Sequence, residues 1–185
     1  MLACGETRPP SFDDIADSGG SSVGPPPSPT VIVDSAAWQM VDAAADPLAE
    51  HRPEDAYCFE DAAFLHASGM WDVFTGRCSY YMATQATLAP IRKGDCVEIP
   101  FLHGRLRSEE GGFAHVAILI GASPIWEINI PIPSEPDARP RYWMATADVP
   151  AGSPIYYHVD NHGENVYALG NIAIVDQDPG VLCAP

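Results

Sequence analysis

The sequence predicts an all-β protein, an antiparallel β-sandwich of jelly-roll type that follows a disordered N-terminal tether. Two observations carry this prediction. From residue 31 onward, short runs rich in β-branched and aromatic residues recur between turn residues, mainly Gly, Pro, Asn and Asp. No stretch between these runs has the long apolar period of an amphipathic helix. With 185 residues and an apolar fraction of 46%, the chain can build one full core.

Residues 1–30 predict a flexible tether with a lipid attachment site near its start. A Gly/Ser run at 19–22 and a Pro-rich run at 24–29 lack the apolar content that offsets ordering entropy. The stretch Leu-Ala-Cys-Gly, which contains Cys4, resembles the lipobox of bacterial lipoproteins, in which the cysteine is lipidated. We therefore predict lipidation of Cys4 and a membrane partner reached through that lipid. The alternative is an ordinary N-terminus with a stray cysteine, because the charged and apolar regions of a signal peptide are not in the sequence.

Residues 31–185 predict the sandwich domain. Side chains alternate between apolar and polar along 126–130, which is typical of a strand with one face in a core. Residues 116–120 are apolar throughout and predict a central strand covered on both faces. The Ala-rich stretch 36–45 could instead form a short helix. The predicted strands cover 31–33 with 38–41, 55–59, 70–75, 78–87, 95–102, 115–121, 125–132, 141–147, 155–159 and 166–175.

The last two predicted strands form a hairpin whose turn contains Asn161, His162 and Gly163. Gly163 is expected to have positive φ, which a residue without Cβ adopts at no steric cost. Asn161 can also adopt such a conformation, and its amide is expected to bond the backbone of its own turn. We therefore predict that this turn is structural first.

The net charge of −16 limits the kinds of partner. It argues against nucleic acid or anionic lipid bound through a basic face, so no nucleic-acid partner is expected. It suits a solvated surface, cationic partners or bound cations. No apolar run approaches the ~18 residues of a membrane-spanning helix.

The cysteines favour an oxidising compartment. With Cys4 reserved for lipid, four remain: Cys58, Cys78, Cys96 and Cys183. Four cysteines allow three pairings, and we predict Cys58–Cys78 and Cys96–Cys183. The first pair would close a loop worth about 3 kcal/mol in the chain-entropy model. The alternative is four buried thiols in a cytosolic protein.

Four histidines in or beside predicted strands are the candidate metal ligands: His103, His115, His158 and His162. Histidine is a common ligand, and a sandwich can bring strand residues together. Alternatively, His158 and His162 bond backbone carbonyls of the hairpin, and His103 and His115 cap strand ends. Cys183 has no His or Met after it, which argues against a blue-copper site, and no Cys/His zinc spacing is present.

No cofactor is expected, with Ca²⁺ or a transition metal as the alternative. Four oxygen-bearing side chains near the hairpin could offer ligands to Ca²⁺, although the EF-hand pattern is absent. These residues are Asp160, Asn161, Glu164 and Asn165.

The sequence shows no catalytic motif, so we predict no catalytic residues and favour a non-enzymatic role. It contains no Gly-x-Ser-x-Gly, no His-Glu-x-x-His and no phosphate-binding glycine loop. Aromatic residues are the remaining signal, because they could form a stacking platform for sugars, although strand aromatics more often belong to a core. The candidates are Trp71, Trp143, Tyr80, Tyr81, Tyr142, Tyr156, Tyr157 and Tyr167.

Several stretches resemble known families. Residues 92–99 and 149–156, with the closing strand at 165–175, resemble strands of galactose-binding-like jelly rolls. The stretches 51–53, 75–81, 114–118 and 161–165 are similar to a family of uncharacterised predicted lipoproteins of myxobacterial type, over roughly residues 38–175. The resemblance implies an exported sandwich and no particular activity.

We therefore predict an exported, lipid-anchored module of the bacterial cell envelope, at the outer membrane or cell surface, that binds a glycan or a protein. The alternative is a metal-binding protein or metal-dependent enzyme that uses His103, His115, His158 and His162. The two differ in whether the histidine rings converge on one point.

Overall fold

The computed structural model describes residues 28–161, 163–176 and 183, and this part of the chain is nearly all β. Short 3-10 turns occur at Ala43–Ala45, Ala49–His51 and Thr75–Arg77. The strands are β1 (Thr30–Val33), β2 (Gln39–Met40), β3 (Ala63–Leu65), β4 (Trp71–Phe74), β5 (Tyr80–Ala86), β6 (Cys96–Ile99), β7 (Phe101–His103), β8 (Gly112–Ile120), β9 (Ser123–Ile132), β10 (Arg141–Met144), β11 (Pro154–Asn161), β12 (Val166–Leu169) and β13 (Ile172–Val175).

The strands form three antiparallel sheets. One has five strands in the order β2-β5-β11-β8-β9, and the others have four each, β1-β13-β6-β10 and β3-β4-β12-β7. Every pairing between these strands is antiparallel. Neighbours in sequence seldom pair directly, so long connections carry the chain from one sheet to another.

The two four-stranded sheets are halves of one bent layer. β6 and β7 are separated only by Pro100, and β12 and β13 only by residues 170–171. Proline cannot donate to a strand ladder and a glycine interior weakens it, so the chain bends there. The Gly170 amide still donates to the Pro100 carbonyl at 2.9 Å, which ties the two bends together.

The bent layer packs face to face on the five-stranded sheet. Val97 and Leu169 from the bent layer belong to the same buried cluster as Val116 and Tyr157 from the five-stranded sheet. Trp71 Nε1 on β4 donates to the hydroxyl of Tyr81 on β5 at 2.7 Å, a bond that crosses between the layers. The architecture is therefore a sandwich, as the sequence predicts.

Most predicted strands are confirmed with shifted ends, but several predictions need correction. The first predicted strand, 31–33 with 38–41, is two strands, of which β1 lies in the bent layer and β2 in the five-stranded sheet. Residues 55–59 form only an isolated bridge at Cys58, and β3 was not predicted. The strands predicted at 95–102 and 166–175 are each broken in two by the bends. The alternative helix at 36–45 is wrong, because only a 3-10 turn forms at Ala43–Ala45. The predicted tether lies outside the described residues up to residue 27.

Both predicted disulfides are confirmed. Cys58 bonds Cys78, and Cys96 on β6 bonds Cys183, which connects the end of the chain to the bent layer. The described part of the chain contains no helix with the length and apolar character that a membrane crossing requires.

Candidate functional site

The four candidate histidines do not converge. His115 and His158 lie together on the five-stranded sheet, with ring centroids 5.0 Å apart. His103 lies on β7 in the other layer. His162 lies outside the described residues. The prediction that these residues could share one metal therefore fails for His103.

His158 is fully buried, but it does not belong to the core. Its neighbours Tyr157 and Val159 point into the core, so its ring lies on the opposite face of β11. Nδ1 lies 2.9 Å from the Tyr81 carbonyl and donates to it, which leaves the lone pair on Nε2. That Nε2 is buried without a hydrogen-bond partner. Burial, with smaller contributions from His115 and then His51, lowers the pKa of His158 to about 3.

Residues 42–52, which lie between β2 and β3, contact the two residues that flank the His158 ring, Tyr80 and His115. The Tyr80 ring lies 4.6 Å from the His158 ring, and its hydroxyl donates to the Leu48 carbonyl at 3.3 Å. Arg52 lies over the Tyr80 ring, with Cζ 5.0 Å from the centroid. The His51 ring lies 6.3 Å from that of His115. We call His51, Tyr80, His115 and His158 the histidine stack.

The stack is not arranged as a metal centre. Within the described ranges, no group of three or more His, Cys, Asp or Glu side chains is placed to hold a metal ion. His115 Nε2 instead meets Glu127 Oε1 at 3.2 Å. His115 therefore pairs with a carboxylate. The alternative prediction, that His115 caps a strand end, does not hold.

His103 is held by a contact with the backbone. It is buried, and its Nδ1 lies 2.7 Å from the Gly104 carbonyl. It lines a surface depression of about 630 Å³ beside Asp137, Arg139 and Arg141. Hydrogen bonds from Arg139 and then Arg141 hold the pKa of Asp137 well below its usual range. The two guanidinium groups are thus already occupied by that carboxylate.

The predicted hairpin does not form, because β11 belongs to the five-stranded sheet and β12 to the bent layer. The connection between these two strands is held by a buried polar network around Asn161. The Asn161 amide donates to Thr75 Oγ1 at 2.6 Å and to the Gly163 carbonyl at 2.9 Å. Its oxygen accepts from the Tyr167 hydroxyl at 2.8 Å. Asn165 bonds both the amide and the carbonyl of Arg107. The oxygens proposed for Ca²⁺ at Asn161 and Asn165 thus accept hydrogen bonds from the chain itself.

Gly163 adopts the conformation that the sequence predicts. Its φ is +101°, and its carbonyl accepts the hydrogen bond from its own turn partner Asn161. A Cβ there would lie 2.5 Å from the Arg107 carbonyl oxygen. Asn161 itself has no positive φ and ends β11 in extended conformation.

The aromatic residues named from the sequence do not form an exposed platform. Tyr80, Tyr81, Tyr157 and Tyr167 are buried, and the other four candidates are partly buried. Two different rings are exposed side by side: Tyr57 is 46% exposed and Phe59 is 54% exposed, with ring centroids 5.8 Å apart and planes tilted by 53°. We call Tyr57 and Phe59 the aromatic platform.

The aromatic platform stands on a clamped backbone. Cys58, between the two rings, bonds buried Cys78. Tyr57 exchanges two bonds with Ser79, its amide meeting Ser79 Oγ at 3.1 Å and its carbonyl accepting from the Ser79 amide at 2.9 Å. The Phe59 amide donates to the Arg77 carbonyl at 3.0 Å. A loop held at three successive residues presents its side chains with little freedom to lose on binding.

A charged pair borders the aromatic platform. Arg77 Cζ lies 5.3 Å from the Phe59 ring centroid, and Arg77 Nη2 lies 2.9 Å from Asp61 Oδ1. Both side chains are about half exposed or more. The site therefore combines two apolar ring faces with hydrogen-bond donors and acceptors at one edge.

Sequence reasoning missed this platform for a definite reason. In a strand at 55–59, Tyr57 and Phe59 would lie on the same face. The sequence does not indicate whether that face is exposed or buried. The signal that could have found them is the Tyr-Cys-Phe triplet, in which a cysteine predicted to form a disulfide lies between two aromatic residues.

Comparisons with known proteins leave the family open. No protein-family model matches the chain, and no curated protein matches it. One solved structure, described as "CBM4 structure and function", is similar to it with a TM-score of 0.43 and 10% identity. That match covers 66% of this chain and 93% of the other. A similarity at this TM-score does not indicate what the chain binds. The resemblance to myxobacterial lipoproteins stays a prediction.

Proposed function

We propose that the chain is an exported binding module that recognises a neutral glycan through the aromatic platform. The observation that carries this proposal is the pair of exposed rings, Tyr57 and Phe59, on a disulfide-clamped backbone. Exposed apolar residues are common singly, whereas two adjacent rings on a rigid loop suit recognition of an apolar surface. The axial C–H groups of a pyranose form such a surface.

The geometry fits a sugar chain in two respects. The 5.8 Å between ring centroids is similar to the advance from one sugar ring to the next in an extended polysaccharide. The 53° tilt between the planes suits a chain that twists between units. Arg77 and Asp61 at the edge of the platform can donate to and accept from sugar hydroxyls.

The charge of the chain narrows the glycan class. A net charge of −16 repels polyanions such as uronate-rich or sulfated polysaccharides at moderate ionic strength. This repulsion does not weaken the binding of neutral glycans. The Arg77 guanidinium is already paired with Asp61, so it does not offer an anion a free cation.

Export and anchoring complete the proposal. Two disulfides are typical of proteins from oxidising compartments. The lipobox-like stretch at Cys4 supports lipidation, and residues 1–30 would then tether the domain of 31–185 to a bacterial membrane. Intact mass of Cys4-containing peptide from the native host would show an acylated cysteine if this is correct, and an unmodified thiol if it is wrong.

Depletion by insoluble polysaccharides tests the glycan proposal. Purified protein is mixed with cellulose, xylan or chitin, and the unbound fraction is measured. At least one should retain the wild type, and Phe59→Ala or Tyr57→Ala should lower the retention constant about tenfold. Phe113→Ala is the matched control, because Phe113 is an exposed phenylalanine on β8, away from the disulfide loop. Equal loss in the control, or no retention of wild type by any neutral polysaccharide, would favour a protein ligand instead.

A further inference from the structure

We infer that the histidine stack is an acid-sensitive latch that holds residues 42–52 on the five-stranded sheet at neutral pH and releases them at mildly acidic pH. This device is independent of the aromatic platform. It is carried by the position of His158, which is buried with one ring nitrogen lacking any partner and whose ring neighbours, Tyr80 and His115, are contacted by the 42–52 segment.

In the closed state, a second proton on the His158 ring would have no hydrogen-bond acceptor. Nδ1–H is committed to the Tyr81 carbonyl, so a second proton must enter at Nε2. Nε2 has no acceptor within reach, and a buried cation without an acceptor is strongly disfavoured. The imidazolium can be solvated only if the cover over its ring opens.

The cover is the 42–52 segment, and its contacts converge on the neighbours of His158. Leu48 accepts from the Tyr80 hydroxyl, Arg52 lies over the Tyr80 ring, and His51 lies against His115. These contacts are a long hydrogen bond, a cation–π contact and a ring contact, and the buried Asp46 side chain of the segment adds an interaction with the Tyr80 hydroxyl. The segment is therefore an element that a charge at His158 can displace without breaking the sandwich.

Several titratable and charged groups face the stack. His51 and Arg52 face it from the segment and His115 faces it from β8, and both His115 and His51 oppose a positive charge on His158. The carboxylates are Asp46, bound to Arg52 at 3.5 Å, Glu127 on β9, paired with His115, and Asp160 on β11.

The direction of the pH effect follows from the pKa of His158. The folded pKa is about 3, below the usual 6.5. The closed state therefore has its full stability above about pH 6.5 and loses it as the pH falls from there towards 3, because open or unfolded states bind the extra proton. The segment should open first, since its release alone exposes the ring.

Amide hydrogen exchange on the full chain, read by mass spectrometry at about pH 7.5 and about pH 5, tests the latch. After correction for intrinsic rates, wild-type protection of 42–52 should fall about tenfold more than that of the buried strand β12, and His158→Asn should abolish the difference. Asparagine can keep the donor to the Tyr81 carbonyl but does not titrate. Equal pH dependence in wild type and variant, or a loss of protection in both segments together, overturns the proposal.

A second variant covers the case in which His158→Asn fails to fold. His51 is exposed, so His51→Phe should fold, and it keeps a ring against His115 while removing the group that opposes a charge on His158. The opening of 42–52 should therefore move to lower pH. The control is His66→Phe, which replaces an exposed histidine bonded only to Ser68 among the hydrogen bonds of its ring. An unchanged opening pH in His51→Phe, or an equal shift in the control, overturns the proposal.

Discussion

At the scale of single residues, backbone conformation and packing both favour glycine at position 163. Its φ of +101° disfavours any side chain, and an added Cβ would meet the Arg107 carbonyl oxygen at 2.5 Å. Gly163→Ala should therefore lower the free energy of unfolding by about 2 kcal/mol or more in urea denaturation. Gly152→Ala is the matched control, because Gly152 also has positive φ but nothing lies within 4 Å of its Cβ position. Similar losses in both variants would mean that the contact with Arg107 is unimportant.

Asn161 is the polar residue on which the connection between β11 and β12 depends. It donates to Thr75 and Gly163 and accepts from the Tyr167 hydroxyl, all within buried surroundings. Asn161→Ala leaves the Tyr167 hydroxyl unpaired, whereas the Gly163 carbonyl and Thr75 Oγ1 keep other partners, and it should cost about 2 kcal/mol of unfolding free energy. The double variant Asn161→Ala/Tyr167→Phe should recover part of that loss, because it removes one orphaned hydroxyl. A cost within about 0.5 kcal/mol for the single variant would contradict the buried network.

The residue scale is also where sequence reasoning was least complete. The conformation of Gly163 and the bond of Asn161 to its own turn follow from local chemistry, and both were predicted. The orphaned Nε2 of His158 could not be predicted, because it depends on a segment more than 100 positions away in the chain folding over the sheet. The local pattern around His158 shows an alternating strand but not what covers its outer face.

At the scale of elements, the Cys58–Cys78 disulfide has two separable roles. It closes a 20-residue separation, which the chain-entropy model values at about 3 kcal/mol, and it fixes the backbone between Tyr57 and Phe59. The variant Cys58→Ser/Cys78→Ser should therefore lose both stability and retention on polysaccharide. Thermal unfolding and the depletion measurement together separate these effects.

The second disulfide provides the control for that experiment. Cys96–Cys183 spans 87 residues and lies away from the aromatic platform. Cys96→Ser/Cys183→Ser should lower stability by a similar or larger amount in the same model, while retention on polysaccharide at a temperature well below unfolding stays unchanged. Equal loss of retention in both double variants would show that the platform does not depend on its own clamp.

Elements were predicted well where their patterns were long and poorly where tertiary contacts decide. β8 and β9 follow from nine and ten residues of apolar or alternating character. β3 has only three residues and exists because β4 pairs with it, which the sequence does not signal. The breaks at Pro100 and Gly170 were missed because each lies between two mainly apolar stretches, and the bend depends on the two positions facing each other.

At the scale of the whole molecule, the net charge of −16 predicts which glycans are excluded. Retention on polygalacturonate should be weaker than on any neutral polysaccharide that binds, and should rise as salt is increased from about 50 mM to about 500 mM. Retention on the neutral polymer should change little over the same range. Tighter binding to the polyanion at low salt would contradict a neutral ligand.

The whole-molecule fold was accessible from sequence, while the site was not. Regularly spaced strands without helical periods predicted the sandwich, and an even set of cysteines predicted both disulfides. The aromatic platform depends on which rings remain outside the core after folding. Core positions were favoured for most of the strand aromatics considered, which did not include Tyr57 or Phe59. Tyr57 and Phe59 became candidates only through their exposure and their shared clamp.

The most direct measurement is a chemical-shift titration of the protein, with aromatic side chains labelled, by cellohexaose, xylohexaose and chitohexaose. We predict that one of these neutral oligosaccharides shifts the ring signals of Tyr57 and Phe59 at saturable concentrations, while those of Phe113 and buried Tyr167 stay unchanged. Tyr57→Ala/Phe59→Ala should abolish the saturable response. Saturable shifts confined to other residues, or binding that persists in the double variant, would contradict the assignment of the platform as the glycan site.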